Sequence, residues 1–372
     1  MEITIIGWYG TETIGDRAIL AGLFKVMAEK YSSLKIRLGS LYTFYTERTI
    51  KEDFDFYKAI SGNKLQSLTI FCSTDPKQLR DNIRQSELLI VGGGPLEDLQ
   101  EMYMLEYAFV YAKHKHVITM LLGCGWGPLK SPEMVNVATH LITLSDRVIF
   151  RDSMSAKQCL CHCPQFHEKV SSSIDPAFFA CHFFNTHINK KREENYIAVN
   201  FRDVKYEGYY KGQVFSEDKC VSIVNSIISQ CDLPIYLIPM HTFYIGGDDR
   251  IWLNIVKETV NSSRVKVFHQ PLSLYETMEM FYNAKLCVGM RFHSIVLQTM
   301  LNGNNYVIDY TEPRVGKISG MMSELQLYDF YKERYISLYS NAHLHINTIN
   351  NQAFTYNPNK LATYLNMYVN NM

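Results

Sequence analysis

The stretch MEITIIGWYGTETIGDRAIL, residues 1–20, decides the fold class. Its apolar run at residues 3–6 has the length of a buried strand, and Gly7 and Gly10 end that strand in a turn. Beyond Gly15 and Asp16, the positions Ile19, Leu23, Val26 and Met27 recur at the spacing of one helical face. A buried strand, a glycine loop and an amphipathic helix in that order make a βα crossover, the unit from which parallel sheets are built.

The same order repeats downstream. Residues 34–41 predict a strand, 75–85 a helix, and 88–91 an apolar strand that ends in Gly92, Gly93, Gly94 and Pro95. A helix over 102–113 leads to a strand over 117–122 and a glycine turn over 123–128. Val148, Ile149 and Phe150 form a short strand delivering Arg151 and Asp152, with Ser153 or Ser155 placed to cap the next helix. A second series opens at residues 196–200, continues through 221–229, and supplies strands at 235–238, 265–268, 286–288 and 306–308. The end of the chain, 359–370, predicts a helix with Leu361, Tyr364, Leu365 and Tyr368 on one stripe. The expected fold is α/β with two Rossmann-like lobes whose loops face an interlobe cleft. The lobes are expected at 1–180 and 196–350, joined by a charged linker at 181–195, with 351–372 as a helix that crosses between lobes or completes the second.

Length and composition agree with two lobes. A chain of 372 residues buries about 75% of its extended surface on folding. The 37 basic and 37 acidic side chains balance, so an extended polyanion-binding surface is not implied and no nucleic-acid partner is expected, while a local arginine pocket stays open. The 25 tyrosines and 20 phenylalanines suit strand packing as well as a carbohydrate or nucleotide surface. Nine cysteines, an odd number in a chain of this size, point to reduced thiols in a cytosol-like compartment. The first residues carry no basic segment ahead of an apolar one, so no signal peptide is expected, and Asn261-Ser262-Ser263 reads as a chance sequon. No apolar run approaches the roughly 20 residues that cross a bilayer, so membrane contact is expected to be peripheral at most.

Several cofactor motifs are excluded by spacing. Gly92-Gly93-Gly94 lacks the Lys-Ser/Thr ending of a nucleotide-binding P-loop, and the first glycine loop is not GxGxxG. Cys159, Cys161 and Cys163 lie near His162 and His167 but lack paired CxxC spacing, so no metal site is expected.

An ordered set of motifs carries a resemblance. It comprises GWYGTETIGDRAIL at 7–20, IVGGGPLED at 90–98, GCGWGPL at 123–129, VIFRDSMS at 148–155 and IDPA at 174–177. It continues with FRD at 201–203, IPMH at 238–241 followed by Asp248 or Asp249, VGMRFHS at 288–294 and YTEPRVG at 310–316. Together these resemble the polysaccharide pyruvyl transferase family, from the first strand to about Leu327. The resemblance implies a glycosyltransferase-B-like pair of lobes and transfer of pyruvate from phosphoenolpyruvate to two hydroxyls of a sugar, giving a ketal and phosphate. It further implies that the first lobe takes the acceptor and the second the donor. Two departures are visible: Thr13, with Glu12 beside it, occupies the place where asparagine commonly precedes Gly-Asp, and Arg314 stands where lysine is common, with one extra residue after Tyr310.

Arg202, Arg291 and Arg314 each fall just beyond a predicted strand of the second lobe, where a planar guanidinium can grip a carboxylate or phosphate. His293, two residues beyond Arg291, is the expected general acid at the donor's methylene carbon. His241 either orients phosphate, removes an acceptor proton, or makes a local turn contact. On the acceptor side the expected residues are Gly10, Glu12, Thr13, Asp16, Gly93, Gly94, Trp126 and Arg151. Asp16 suits hydroxyl binding or helix capping, Trp126 sugar stacking or loop anchoring, and Arg151 an acceptor contact, a bridge between lobes or a structural pair with Asp152. No cofactor is expected beyond phosphoenolpyruvate as donor substrate. The acceptor is a sugar, with lipid-linked and nucleotide-linked forms both open, and the expected location is the cytoplasm, including the inner face of the membrane. A nucleotide-sugar glycosyltransferase and a non-catalytic glycan-binding protein are the competing readings.

Overall fold

The computed structural model describes residues 1–187, 195–204, 217–311, 316–338, 346 and 352–372. Arg314 lies outside them. Two compact units are present: Met1–Glu12, Asp16–Ala180 and Asn357–Met372 form the first, Thr13–Gly15 and Cys181–Tyr356 the second.

The first unit is a parallel sheet with helical crossovers. Its strands are β1 (Glu2–Ile6), β2 (Leu34–Ser40), β3 (Leu65–Cys72), β4 (Leu88–Gly92), β5 (Pro95–Leu96), β6 (Ile118–Trp126), β7 (Arg147–Phe150) and β8 (Val170–Ser172). They run in the order β3-β2-β1-β4-β6-β7-β8, with β5 beside β6. The helices are α1 (Ile14–Lys30), α2 (Thr43–Ile60), α3 (Pro76–Arg84), α4 (Met102–His114), α5 (Pro132–Leu144), α6 (Ser153–His162) and α7 (Ala177–His187). Ile3, Ile5 and Ile6 are fully buried because β1 is flanked in parallel by β2 and β4. Ile19, Leu23, Val26 and Met27 of α1 are likewise at 0% exposure, as their helical spacing requires.

Local differences from the sequence reading have physical causes. The stretch expected as a glycine turn at 123–128 is mostly strand: β6 runs on to Trp126, and its pairing with β7 shifts register between Leu122 and Cys124, where Gly123 has φ +72°. Asp152, rather than Ser153 or Ser155, caps α6, its carboxylate accepting the Ser155 amide at 2.6 Å and the Ser155 hydroxyl at 3.0 Å. Asp16 lies in the first turn of α1, since that helix already starts at Ile14. The segment expected as a linker from residue 181 begins as the second half of α7, which extends to His187. Residues 188–194 of that segment lie outside the described residues.

The second unit repeats the plan. Strands β9 (Ile197–Val199), β10 (Ile235–Leu237), β11 (Val265–Val267), β12 (Leu286–Gly289), β13 (Asn305–Asp309) and β14 (Tyr335–Ser337) form a parallel sheet in the order β11-β10-β9-β12-β13-β14. Its helices are α8 (Glu217–Ile228), α9 (Asp249–Val260), α10 (Leu274–Asn283), α11 (Phe292–Leu301) and α12 (Lys317–Glu324). α11 is buried along nearly its whole length, which its apolar sequence allows on every face.

The last helix, α13 (Pro358–Asn371), belongs to the first unit. Leu361, Tyr364 and Tyr368 are its buried residues. Tyr368 donates to the Ile174 carbonyl at 2.8 Å, and Ser173 donates to the Tyr364 carbonyl at 2.9 Å. Each large side chain so buried contributes about 1.5–3 kcal/mol.

Both sheets place their first strand centrally and reverse direction of assembly beside it, between β1 and β4 in one and between β9 and β12 in the other. In open parallel sheets ligands bind beyond the carboxyl ends of the strands at such a reversal. The two reversal points are therefore where functional side chains are sought.

Candidate functional site

In the second unit, Asn200 organises the reversal. It follows β9 and is fully buried. Its amide donates to the Val288 carbonyl at 2.8 Å, its side-chain nitrogen donates to the Ile238 carbonyl at 3.0 Å, and its side-chain oxygen accepts the Arg291 amide at 3.0 Å. One side chain thus ties the ends of β9, β10 and β12 together. Those ends carry Arg202, His241, and Arg291 with His293.

Asp249, at the start of α9, is the second organiser. Its buried carboxylate accepts the amides of Met240 at 3.0 Å and His241 at 3.2 Å. The same carboxylate takes the Arg291 guanidinium, with Nε at 2.8 Å and Nη2 at 2.6 Å. Nη2 of Arg291 also donates to the Gly247 carbonyl at 3.1 Å. Arg291, expected as an anion grip, therefore has one edge committed to Asp249; among the described residues its Nη1 has no partner, and its side chain is 13% exposed. That remaining edge is what it can offer a ligand.

His241 is held in one tautomer. The Ile245 carbonyl can only accept, so Nε2 carries the proton and donates at 2.6 Å, while Nδ1 accepts from the Thr13 hydroxyl at 2.7 Å. Burial pushes the imidazole down to about 4, and the nearby Arg291 charge adds to this against the opposing Asp249, so the ring is neutral at pH 7. Thr13 pairs with His241 as an isolated antiparallel bridge, and the Ile14 amide donates to the Met240 carbonyl at 3.0 Å. Of the alternatives open for His241, these contacts are those of a turn anchor.

His293 lies in the first turn of α11, directly after Arg291, which is the helix N-cap. Its ring packs edge-on against Phe292 at 4.9 Å and lies against the backbone of Gly15. Arg202 is 5% exposed. Its Nη1 donates to the Tyr310 hydroxyl at 3.0 Å, and its guanidinium carbon sits 4.8 Å from the centre of the Tyr310 ring. Lys317, at the first residue of α12, reaches 5.5 Å from the same ring. Three cationic side chains and two histidines thus arise from the carboxyl edge of one sheet.

In the first unit, the reversal between β1 and β4 is a glycine-lined edge. Gly10, Gly93 and Gly94 all have positive φ, at +95°, +92° and +68°. The close fit requires this at Gly94, where a Cβ would lie 2.1 Å from the Trp8 ring. The Tyr9 hydroxyl is buried with no hydrogen-bond partner among the described residues. A Cβ on Gly93 would be 3.4 Å from that hydroxyl and 3.9 Å from Asp16 Oδ1, so Tyr9, Gly93 and Asp16 border one spot. Burial, with the Asp16 charge beside it, pushes the Tyr9 phenol well up, and it remains a neutral donor.

Trp126 and Arg151 are built into the interior. Trp126 is 7% exposed, meets Phe150 edge-on at 6.2 Å and stacks on His162 at 5.7 Å. The Arg151 guanidinium, buried against Gly125, lies 3.8 Å from Asp152 and 3.6 Å from Asp175. Anchoring and structural pairing are the members of their open alternatives that these contacts match. Among the described residues no group of three or more His, Cys, Asp or Glu side chains is placed to hold a metal ion, and no helix is long and apolar enough to cross a membrane.

The family model for polysaccharide pyruvyl transferase matches residues 14–312. The chain belongs to the polysaccharide pyruvyl transferase family. It is therefore a transferase that acts in moving pyruvate onto polysaccharide. No curated protein matches the sequence. Among solved structures, this pyruvyl transferase is similar to a UDP-N-acetylglucosamine 2-epimerase from Methanocaldococcus jannaschii in complex with UDP-GlcNAc and UDP. The identity is 12%, the TM-score 0.50, and 100% of this chain and 93% of that one are covered. It is also similar to the UDP-N-acetylglucosamine 2-epimerase of Rickettsia bellii, at 10% identity and TM-score 0.51 over 83% and 79% of the two chains. A third is S. aureus MnaA with UDP, at 12% identity and TM-score 0.53 over 100% and 98%. At these identities the likeness speaks to the fold, and it bears out two Rossmann-like lobes of glycosyltransferase-B type.

Four residues that contact the expected site residues, or lie beside them, are not themselves among those expected. Asn200 and Asp249 act through contacts across 91 and 42 positions, and Tyr310 meets Arg202 across 108. Lys317 sits behind the expected motif. Only Asp249 and Tyr310 had a signal, as members of the motifs quoted above.

Proposed function

We propose that this transferase moves the pyruvyl group of phosphoenolpyruvate onto two hydroxyls of one sugar in a glycan or glycan precursor, forming a cyclic ketal and releasing phosphate. The observation that carries the reading is the placement of Arg202 and Arg291 beyond the ends of the paired strands β9 and β12, where the second sheet reverses, with His293 in the first turn of α11. The donor is a small dianion or trianion with a carboxylate and a phosphate on one carbon. Arg202, pre-positioned by Tyr310, and the outer edge of Arg291 supply forked donors for such groups, with Lys317 adding charge.

In this scheme His293 gives a proton to the methylene carbon, and the oxygen-bearing carbon becomes electrophilic. One sugar hydroxyl adds there and loses its proton. The second hydroxyl then displaces phosphate as the C–O bond to phosphate breaks. Of the two hydroxyl protons, one replaces that spent on the new methyl group and the other leaves on hydrogen phosphate. The cationic cluster stabilises the departing phosphate. The scheme calls on no metal or cofactor. His241, neutral and bonded at both nitrogens, serves in it as a holder of the Thr13 loop.

The acceptor is assigned to the glycine-lined edge of the first unit, near Gly10, Glu12, Asp16, Gly93 and Gly94. Lipid-linked, nucleotide-linked and polymeric sugars all satisfy this chemistry. Nine cysteines with no disulfide suit a cytoplasmic location, with the inner face of the membrane where a lipid-linked acceptor resides. Incubation with phosphoenolpyruvate and a saccharide panel, read by mass spectrometry and phosphate release, tests the reading. A pyruvate ketal on the sugar with one phosphate per transfer is expected. Release of UDP, GDP or CMP from nucleotide sugars, with phosphoenolpyruvate inert, overturns it.

A further inference from the structure

Tyr9 carries a polar group that the free protein leaves unused. It stands in the loop that leaves β1 at the first sheet's reversal point, is 4% exposed, and has a hydroxyl with no hydrogen-bond partner among the described residues. Two phenols buried to a similar depth in the same unit are answered: Tyr57 donates to Asp53 at 3.2 Å, and Tyr368 to the Ile174 carbonyl at 2.8 Å. An unanswered buried hydroxyl bears its full desolvation cost, so phenylalanine would serve packing better at position 9.

The two glycines that follow β4 border this hydroxyl differently. A Cβ on Gly92 would lie 3.5 Å from the Tyr9 oxygen but only 2.4 Å from Leu23 Cδ1, so Leu23 already fills that side. A Cβ on Gly93 would meet nothing nearer than 3.4 Å outside its own chain neighbours. What it would meet there is the Tyr9 hydroxyl, the ring carbon that bears it at 3.6 Å, and Asp16 Oδ1 at 3.9 Å. Those are ordinary contact distances, so a group the size of a methyl or hydroxyl fits between Tyr9 and Asp16 where Gly93 has no side chain. Asp16, unlike Tyr9, is partly exposed, so solvent reaches the carboxylate wall of this spot. Tyr9, Asp16, Gly92 and Gly93 all belong to the first unit.

The two walls ask for one kind of occupant. The Tyr9 phenol, kept protonated by burial and by the Asp16 charge, offers a donor, and the Asp16 carboxylate can only accept. An alcohol oxygen takes the Tyr9 proton on a lone pair and gives its own to Asp16. A carboxylate or phosphate only accepts and meets the Asp16 charge, while an ammonium only donates and leaves Tyr9 unanswered. We infer that Tyr9 and Asp16 form a subsite that reads one hydroxyl of the acceptor sugar, with Gly93 kept bare to admit it. This rests on the assignment of the acceptor to this edge of the first unit. Tyr9 is thereby a specificity-determining residue, because a site built to bond a hydroxyl rejects the analogue that lacks it.

The test compares wild type with Tyr9→Phe in thermal denaturation and in binding of the methyl glycosides of galactose, glucose, mannose and N-acetylglucosamine. Binding is read by titration calorimetry without phosphoenolpyruvate, so the outcome does not depend on the donor. For the glycoside bound best, each monodeoxy analogue is titrated as well. Tyr9→Phe is expected to keep or exceed the wild-type melting temperature and to raise the Kd of that glycoside roughly three- to tenfold. One monodeoxy analogue should bind both proteins equally, which marks the hydroxyl that is read. Equal affinity of the two proteins for every glycoside overturns the inference. A lower melting temperature in Tyr9→Phe overturns it too, since the hydroxyl is then bonded within the free protein. A wild type that binds no glycoside removes the acceptor assignment and this subsite with it, and its silent titration separates that result from the other two.

Discussion

Gly15 and His293 touch so closely that an atom at the Cβ position of Gly15 would lie 2.0 Å from the imidazole Nδ1 and 2.5 Å from Cγ. They are 278 positions apart in the chain, as 293 less 15 gives, yet both belong to the second unit. The glycine of the Gly15-Asp16 pair therefore has a steric duty toward the candidate general acid as well as a local one.

Gly15→Ala is expected to force His293 out of position. A displacement of about 1 Å at a reacting group lowers rate by about 100-fold, and overpacking costs about 1–3 kcal/mol of stability. Steady-state kinetics beside thermal denaturation checks this. A variant with wild-type kcat would show that His293 does not need its observed place.

Asp249→Asn removes the countercharge of Arg291 while nearly preserving shape. Loss of one partner from a buried ion pair costs about 3–5 kcal/mol, and this carboxylate also receives the Met240 and His241 amides. Chemical denaturation should show that loss. In the folded fraction, the KM for phosphoenolpyruvate should shift because Arg291 is then unrestrained.

The His241 ring makes stability depend on pH with a definite sign. Its folded value lies near 4 and its ordinary value is 6.5, so between these limits the unfolded chain binds more protons. The associated stability is fully present above 6.5 and is lost as pH falls toward 4, by on the order of 3 kcal/mol. Equilibrium unfolding at graded pH should show a slope in that window. His241→Asn, which keeps an acceptor for Thr13 but does not titrate, should flatten it.

Arg202→Lys keeps the charge but loses the planar fork and its seat on Tyr310. The KM for phosphoenolpyruvate is expected to rise roughly tenfold or more, since lysine cannot reproduce a bidentate, ring-stacked contact. Tyr310→Phe removes only the hydrogen bond and should have a smaller effect, about 0.5–1.5 kcal/mol. Equal effects from the two variants would argue against an anion-binding role for Arg202.

Much of the architecture is legible residue by residue. The period of Ile19, Leu23, Val26 and Met27 locates α1, and the apolar run at 88–91 locates β4, because each is a local pattern buried on one face or on both. The region 43–72 is harder. α2 turns Thr46, Thr49 and Asp53 inward beside Phe56 and Tyr57, so its inner face is partly polar, and β3 lies at the edge of its sheet. The same obscured helix brings Arg48 to Glu12, a contact that emerges only with the fold.

By itself the sequence determined the parallel α/β class, the family, and the identities of Arg202, Arg291 and His293 as candidates, since these depend on periodicity and on ordered local motifs. Tertiary structure alone decided what each side chain faces. It set Arg291 on Asp249, His241 on Thr13, Trp126 in the interior, and left one oxygen of Glu12 unmatched. The reason is physical: a hydrogen bond or ion pair depends on distances of about 3 Å, and only the register of parallel strands brings residues scores of positions apart within that reach.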